Sequence, residues 1–105
     1  MVLKIVGVCA CVAGIAHTYI AQEKLIEAAK NRGHKIKTET QGVIGIENEL
    51  SQEDIDSSDV VILAVDVSIL KRDRFDNKKV VEVPTRLVIN SADKIIQKIE
   101  KMIME

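Results

Sequence analysis

The sequence predicts an α/β fold in which helices cover both faces of an open, four-stranded parallel sheet, a three-layer arrangement of Rossmann-like type. Three observations lead to this prediction. Valine and isoleucine fill 28 of the 105 positions, whereas the chain has only two aromatic residues. Two runs, 2–8 and 60–65, are almost wholly apolar, as in strands buried on both faces. Segments with helical periodicity alternate with such runs, which favours a single domain over 1–105 with strand order 2-1-3-4.

The first half of the chain predicts two strands and one helix. The first apolar run is predicted to form the first strand. A helix is predicted over 15–32, because apolar residues recur there at helical spacing, and Gly33 has the position of a C-terminal cap. Residues 35–40 alternate weakly, as is typical of a strand nearer the sheet edge. Gly42 and Gly45 then predict a loop that turns sharply.

The second half predicts two more strands between helical segments. Ser51 begins S-Q-E-D, in which the hydroxyl caps a short helix and the acidic residues suit its N-terminus. The second apolar run is the best candidate for a central strand, and a helical turn is an option between 68 and 75. A further strand is predicted at 79–83 and ends at Pro84. A closing helix is predicted over 91–104, where isoleucines share one face.

Composition excludes several classes of function. The net charge is -1, and two aromatic rings cannot form a stacking platform, so nucleic-acid binding is not expected. No apolar run approaches the roughly 20 residues that span a bilayer, and the N-terminus lacks a signal-peptide layout. We therefore expect a cytoplasmic protein, and a start at Met1 suits a freestanding chain. Residues 47–66 carry seven negative charges and no positive one, which predicts a solvated acidic helix rather than a partner-binding patch.

The turn after the first strand carries the chemistry that the sequence predicts. Cys11 precedes a helix start, where free backbone N–H groups attract anions and favour a thiolate. Gly14 lets the loop bend inward, so successive N–H groups can converge on phosphoryl oxygens. A phosphorylated cysteine would fit this loop. The alternative, a small buried Cys11 with Gly14 as a simple turn residue, stays open on these residues alone.

A phosphatase is a second interpretation of this loop. Some phosphatases place a cysteine, five loop residues and an arginine ahead of a helix, and the arginine binds phosphate with two hydrogen bonds. Here His17 has the arginine's position, so the strong phosphate contact that hydrolysis needs is missing. Phosphoester hydrolysis is therefore the weaker interpretation.

A family resemblance favours the phosphocysteine interpretation over a buried cysteine and over a phosphatase-like domain. The run C-V-A-G-I-A-H-T-Y at 11–19 is similar to the C-P-T-G-I-A-H-T-Y active-site loop of the fructose-specific enzyme IIB (EIIB) of the bacterial phosphoenolpyruvate-dependent sugar phosphotransferase system (PTS). Segments matching the family's pattern follow in order and spacing: ETQG at 39–42, GIENEL at 45–50, DVVILA at 59–64 and RF at 74–75. The resemblance covers nearly the whole chain.

The resemblance implies a phosphorelay without a metal or cofactor. Cys11 would accept a phosphoryl group from a phosphohistidine on the EIIA component and pass it to fructose held by the membrane-embedded EIIC component, giving the sugar 1-phosphate. The chain would then work at the inner face of the membrane through EIIC. Thr18 would offer a hydroxyl near the sulfur. The phosphate cradle would be the backbone of Val12, Ala13, Gly14, Ile15, Ala16 and His17.

Two loop positions depart from the family pattern. Val12 replaces a proline that would preset the backbone, and Ala13 replaces a threonine that would offer the phosphate a hydroxyl. The backbone donors remain, which favours a working transferase. A low-activity paralogue, or a regulatory module that binds its partner without phosphorylation, is the alternative.

The remaining cysteine and histidines carry competing interpretations. Cys9 is predicted to be a core residue, because a disulfide across Cys-Ala-Cys would be strained and would consume the nucleophile. His17 is either an imidazolium that binds phosphate or a helix-face residue. His34 follows a helix end and is predicted to be a solvated loop residue. Two cysteines two positions apart and distant histidines are poor zinc spacing, so no metal site is predicted.

Three surface features complete the prediction. The loops after the second and third strands, with Gln41, Gly42, Ile44 and 66–68, should border Cys11 and serve docking. Tyr19 and Ile15 would either form an apolar contact with EIIA or pack against the sheet. Arg74 would either steer the negatively charged donor or pair with Asp73 or Asp76.

Overall fold

The computed structural model describes residues 2–11 and 15–104. Five strands form one sheet in the order β3-β2-β1-β4-β5. The strands are β1 (Lys4–Ala10), β2 (Lys35–Gly42), β3 (Gly45–Glu47), β4 (Val60–Val65) and β5 (Val80–Val83). The helices are α1 (Ile15–Asn31), α2 (Gln52–Asp56) and α3 (Thr85–Met104), with a 3-10 helix at Arg72–Phe75 between β4 and β5.

The sheet confirms the predicted α/β class and differs from the prediction by one strand. The pairs β1–β2, β1–β4 and β4–β5 are parallel, so the four expected strands have the expected order. The fifth strand, β3, pairs antiparallel with the end of β2 through Gly42 and Gly45. The sequence predicted only a loop here, because three residues are too few for a periodic signal. Gly45 adopts φ 98°, which lets the chain turn back after Val43 and Ile44.

Helices cover both faces of the sheet, as predicted. Side chains of β1 and β4 alternate between two buried clusters because successive residues of a strand point to opposite faces. One cluster packs against α1 and α3, and the other against α2 and the 3-10 helix. The chain crosses from β1 to β2 in one direction and from β2 to β4 in the other, so right-handed crossovers place α1 and α2 on opposite faces. Within the described residues, no helix is long and apolar enough to cross a bilayer.

The first helix ends in the predicted glycine cap. Gly33 has φ 79° and donates its N–H to the carbonyl of Lys30 at 3.0 Å. The next residue, His34, donates its N–H to the carbonyl of Ala29, also at 3.0 Å. This pair of bonds is the Schellman arrangement, which satisfies carbonyls at a helix C-terminus.

The prediction that His34 is solvated is wrong. Its side chain is buried, with 5% of the residue exposed. Nδ1 accepts a hydrogen bond from the Leu3 N–H at 3.0 Å, so the neutral ring carries its proton on Nε2 and donates it to Glu100 Oε2 at 2.5 Å. The chain places this histidine against α3 because the Schellman turn reverses directly into β2.

The closing helix begins earlier than predicted. α3 starts at Thr85, next to Pro84, and a non-helical residue, Ser91 (φ -146°, ψ 38°), kinks it. The sequence placed the start at Ser91 because the preceding T-R-L-V-I-N is rich in β-branched residues, which have low helix propensity. The predicted cap of the short helix is confirmed: Ser51 caps the N-terminus of α2 and forms a capping box with Asp54.

Candidate functional site

Cys11 lies at the carboxyl end of the central strand β1, where the strand order changes direction. It follows β1, whose last residue Ala10 pairs with Gln41 of β2 on one side and Val65 of β4 on the other. In open parallel sheets, the crevice beyond the carboxyl ends of two such strands is the usual place for a ligand. The fold therefore puts the predicted nucleophile where the topology predicts a site.

Among the residues that the structure describes, three side chains lie near the Cys11 sulfur. The sulfur lies 3.1 Å from His17 Nδ1 and 3.0 Å from Asp66 Oδ2, and Thr85 Oγ1 lies 3.8 Å away. His17 belongs to the first turn of α1, Asp66 follows β4, and Thr85 begins α3. Four separate segments thus meet at one thiol.

Thr85 holds the Asp66 carboxylate in place. Its backbone N–H donates to Oδ1 at 3.0 Å and its hydroxyl donates to Oδ2 at 2.5 Å. Asp66 therefore caps α3 from another element, at the end of the helix that favours negative charge. Hydrogen bonds from the Thr85 hydroxyl, and then from the Cys11 thiol, hold the pKa of Asp66 below its usual range. Asp66 is thus an anion at neutral pH.

His17 completes the cluster. Its Nδ1 also lies 3.3 Å from Thr85 Oγ1, so this nitrogen faces both the sulfur and the hydroxyl. A nucleophile next to an imidazole nitrogen is the arrangement that activates a cysteine in covalent catalysis. The same three side chains, Cys11, His17 and Asp66, also offer one sulfur, one nitrogen and one oxygen within 4.8 Å of one another, which is a possible metal-ligand set.

A cavity of about 440 Å³ opens beside Cys11. The end of β2 lines it with Gln41, the loops after β2 and β4 line it with Ile44 and Leu70, and Tyr19 of α1 completes this lining. The strand order predicted that these loops would border Cys11. The Gln41 side chain joins them, because its amide donates to the Leu70 carbonyl at 3.1 Å and its carbonyl accepts from the Leu70 N–H at 2.8 Å.

Arg74 supports this wall of the cavity from inside the protein. Its guanidinium donates to both oxygens of Glu39, at 2.8 and 2.6 Å, and Glu39 is fully buried. Burial would raise the pKa of Glu39, but hydrogen bonds from Arg74, Gln41 and the Leu50 N–H outweigh it and lower that pKa. The interpretations of Arg74 as a steering charge or as a partner of neighbouring aspartates are therefore wrong. Its partner lies 35 residues away on β2.

The predicted cradle lies only partly within the described residues. Val12, Ala13 and Gly14 fall outside them, and Ile15 is the first residue of α1. Ala16 is exposed at the start of the same helix. Thr18 is buried and lines the cavity together with Cys11.

Cys9 and Tyr19 occupy contrasting environments. Cys9 is fully buried between the sheet and α1, and desolvation raises the pKa of its thiol to about 12. It is therefore a core residue, as predicted, and is kept in the unreactive thiol form. Tyr19 is partly exposed, and its hydroxyl donates to Glu47 of β3. This bond ties α1 to the β2–β3 hairpin at the cavity rim.

Sequence reasoning missed two members of the cluster. Asp66 was assigned to a bordering loop, and Thr85 was not considered. The available signal for Asp66 was an acidic residue directly after the apolar run that neighbours β1, since the carboxyl ends of parallel strands meet at one edge. Thr85 had the weaker signal of a hydroxyl residue directly after a proline.

Comparisons with known proteins agree on one family. The family described as "PTS system, Lactose/Cellobiose specific IIB subunit" matches residues 6–98. PTS system fructose-like EIIB component 2 of Escherichia coli K12 is 50% identical over 97 residues, which cover 92% of each chain. The enzyme IIB subunit of the PTS from E. coli K12 superposes with a TM-score of 0.92 at 39% identity, covering 99% of this chain and 96% of the other. A domain of the fructose-specific IIABC component of Borrelia burgdorferi gives 0.85 at 47% identity and covers 93% of both. These matches confirm the resemblance to the fructose-type IIB component.

Proposed function

Because this chain belongs to the PTS IIB family, whose members carry phosphoryl groups during sugar uptake, we propose that Cys11 is its phosphoryl-carrying residue. The single observation that carries the proposal is the position of the thiol. Its sulfur lies beside a cavity at the switch point of the sheet, within 3.1 Å of an imidazole nitrogen and a carboxylate oxygen. That arrangement supplies a nucleophile, a proton acceptor and a route for the donor.

The first transfer is a displacement at phosphorus. A sulfur lone pair of Cys11 forms the S–P bond while the P–N bond of the donor phosphohistidine breaks, and that electron pair stays on the donor's imidazole nitrogen. The thiol proton passes to His17 Nδ1, which lies 3.1 Å from the sulfur, because the lowered pKa of Asp66 makes its carboxylate a weak base. Asp66, which lies within 4.8 Å of that nitrogen, balances the positive charge that His17 gains.

The second transfer reverses the role of sulfur. A sugar hydroxyl oxygen attacks phosphorus, the S–P bond breaks, and its electron pair returns to Cys11. The backbone of the loop 12–17 and the positive end of α1 stabilise the phosphoryl oxygens in both steps. Valine and alanine each carry a backbone N–H, so the proposal includes turnover despite the two departures of Val12 and Ala13 from the family pattern.

The proposed partners follow from the names of the relatives and from the chemistry. The donor is the phosphohistidine of an EIIA protein or domain, and the acceptor is a fructose-type sugar held by an EIIC component in the membrane. The product is the sugar 1-phosphate, and the protein acts at the cytoplasmic face as a phosphohistidine–sugar phosphotransferase. Exposed apolar residues at the cavity rim, Val43 and Ile44, provide a surface for the donor.

Phosphoryl labelling with matched cysteine variants tests this proposal. Incubation with phosphorylated EIIA should add one thiol-linked phosphoryl group to the wild type and to Cys9→Ser, and none to Cys11→Ser. Circular dichroism checks that each variant is folded. Equal labelling of Cys11→Ser and wild type would overturn the assignment. Catalytic hydrolysis of an aryl phosphate without any partner would instead support the phosphatase interpretation.

A further inference from the structure

Three potential metal ligands converge at the end of the sheet. Cys11 Sγ lies 3.1 Å from His17 Nδ1 and 3.0 Å from Asp66 Oδ2, and all three atoms lie within 4.8 Å of one another. They come from the end of β1, the first turn of α1 and the end of β4. The fold of the whole sheet, and not one flexible segment, therefore fixes their spacing.

The spacing is close to that of a zinc site. Tetrahedral zinc with bonds of about 2.0 to 2.3 Å places its ligand atoms roughly 3.3 to 3.7 Å apart. To bind zinc, the sulfur would have to move about half an ångström away from its two neighbours, and the His17 and Asp66 atoms, which lie within 4.8 Å of each other, would have to come to about 3.3 Å. Asp66 is exposed and the other two side chains are partly exposed. A bound metal would thus keep a fourth position open to water.

The ligand types favour zinc over the hard cations. Magnesium and calcium prefer sites made of oxygen atoms, whereas a thiolate with an imidazole nitrogen is typical of zinc. Asp66 is also oriented by a second layer of contacts, since Thr85 donates two hydrogen bonds to it. Such supporting contacts strengthen metal sites by holding the ligands in position.

We propose that Cys11, His17 and Asp66 form a binding site for Zn²⁺ that blocks the phosphoryl acceptor. Zinc takes the place of the thiol proton, which is released to solvent, and the sulfur lone pair that would attack phosphorus forms the Zn–S bond instead. Zinc is thus a reversible inhibitor and not a cofactor. The inhibitory consequence rests on the proposed function of Cys11, whereas metal binding itself does not.

Direct binding tests the site without any phosphoryl donor. The probe is Co²⁺, whose thiolate charge-transfer absorption reports a metal–sulfur bond, followed by displacement with Zn²⁺ in competition with a chromogenic chelator. Wild type and Cys9→Ala should bind one metal with this absorption, and Cys11→Ser should lose it. His17→Ala and Asp66→Asn should each bind zinc at least about tenfold more weakly. Asn can still cap α3, so this variant removes the ligand charge with little effect on folding.

Two outcomes would overturn the zinc site. One is the absorption persisting in Cys11→Ser, and the other is unchanged zinc affinity in both His17→Ala and Asp66→Asn, which would reduce the site to a thiol alone. A second experiment measures the labelling of wild type by phosphorylated EIIA. Zinc should suppress labelling and a chelator should restore it. Zinc binding without labelling in any condition would overturn the proposed function and leave the metal site standing, whereas labelling unaffected by saturating zinc would overturn the inhibition.

Discussion

At the scale of single residues, Thr85 decides how Asp66 meets the Cys11 thiol. The Thr85 side chain and backbone both donate to the carboxylate, and Thr85 is fully buried. The hydroxyl donates to Oδ2, the same oxygen that accepts a hydrogen bond from the Cys11 thiol. Thr85 does not need to touch the phosphoryl group to affect the reaction, so we regard it as a positioning residue.

Thr85→Val should slow labelling of Cys11 by phosphorylated EIIA by about tenfold to a hundredfold, because a hydrogen bond to a charged group contributes about 1.5 to 3 kcal/mol. Valine has nearly the same shape, and the backbone N–H still caps Asp66. Thr85→Ser keeps the hydroxyl and should label at close to the wild-type rate. Single-turnover labelling rates measure the effect. Labelling of Thr85→Val at the wild-type rate would show that the hydroxyl does not position Asp66 for the reaction.

The residues of the site differ in how far the sequence could predict them. Cys11 and His17 are six positions apart in one recognisable loop, so a motif carries both. Asp66 and Thr85 lie 55 and 74 positions from Cys11. Their contact depends on the exact register of β1 with β4 and on where α3 begins. Composition and periodicity do not encode those details.

At the scale of secondary-structure elements, an ion pair joins β2 to the 3-10 helix. Glu39 is a buried residue of β2, and Arg74 of the 3-10 helix donates two hydrogen bonds to its carboxylate. The Arg74 guanidinium carbon also lies 4.7 Å from the centre of the Phe75 ring. Gln41, which holds the Leu70 loop, also donates to Glu39 at 2.9 Å. The wall of the cavity beside Cys11 therefore depends on a buried charge that must stay paired.

Arg74→Met should lower the free energy of unfolding by about 3 kcal/mol or more, because it leaves the Glu39 carboxylate buried without its cation. Arg72→Met is the matched control. Arg72 pairs with Glu82 at 2.7 Å, but both side chains are about half exposed, so its loss should cost less than about 1 kcal/mol. Urea unfolding of both variants measures the difference. If Arg74→Met and Arg72→Met lost similar amounts of unfolding free energy, burial of the Arg74–Glu39 pair would not add to its contribution to stability.

The elements themselves were predictable where apolar patterning is strong. The apolar runs correspond to β1 and β4, which are buried on both faces, and the isoleucines of α3 share one buried face. The hydrophobic pattern of these segments therefore agrees with their burial in the fold. β3 was missed because a hairpin arm of three residues depends on a glycine conformation rather than on hydrophobicity. The first turns of α3 were missed because capping by Asp66, a long-range contact, offsets their low helix propensity.

At the scale of the whole molecule, one cluster links the start of β1 to the ends of both long helices. Arg32, after α1, donates to both oxygens of Glu100 on α3, at 2.6 to 2.9 Å. His34 donates to the same carboxylate and accepts from the backbone of Leu3. The cluster of Arg32, His34 and Glu100 lies at the amino end of β1, whereas Cys11 follows the carboxyl end of the same strand. It should therefore affect stability without affecting phosphoryl transfer.

Glu100→Gln should destabilise the protein at neutral pH, and the difference from wild type should shrink in acid. Hydrogen bonds from Arg32, and then from His34, lower the pKa of Glu100 from 4.5 to about 2. A carboxyl whose pKa is depressed on folding contributes stability that is complete above its unfolded pKa and is lost as the pH falls toward the folded pKa. Urea unfolding at a series of pH values should thus show a constant gap above about pH 5.5 and a narrowing gap below about pH 4.5. Glu82→Gln, in an exposed ion pair, is the control and should differ little from wild type throughout. If the stability difference between Glu100→Gln and wild type stayed constant down to about pH 3, Arg32 and His34 would not favour the ionised carboxylate of Glu100.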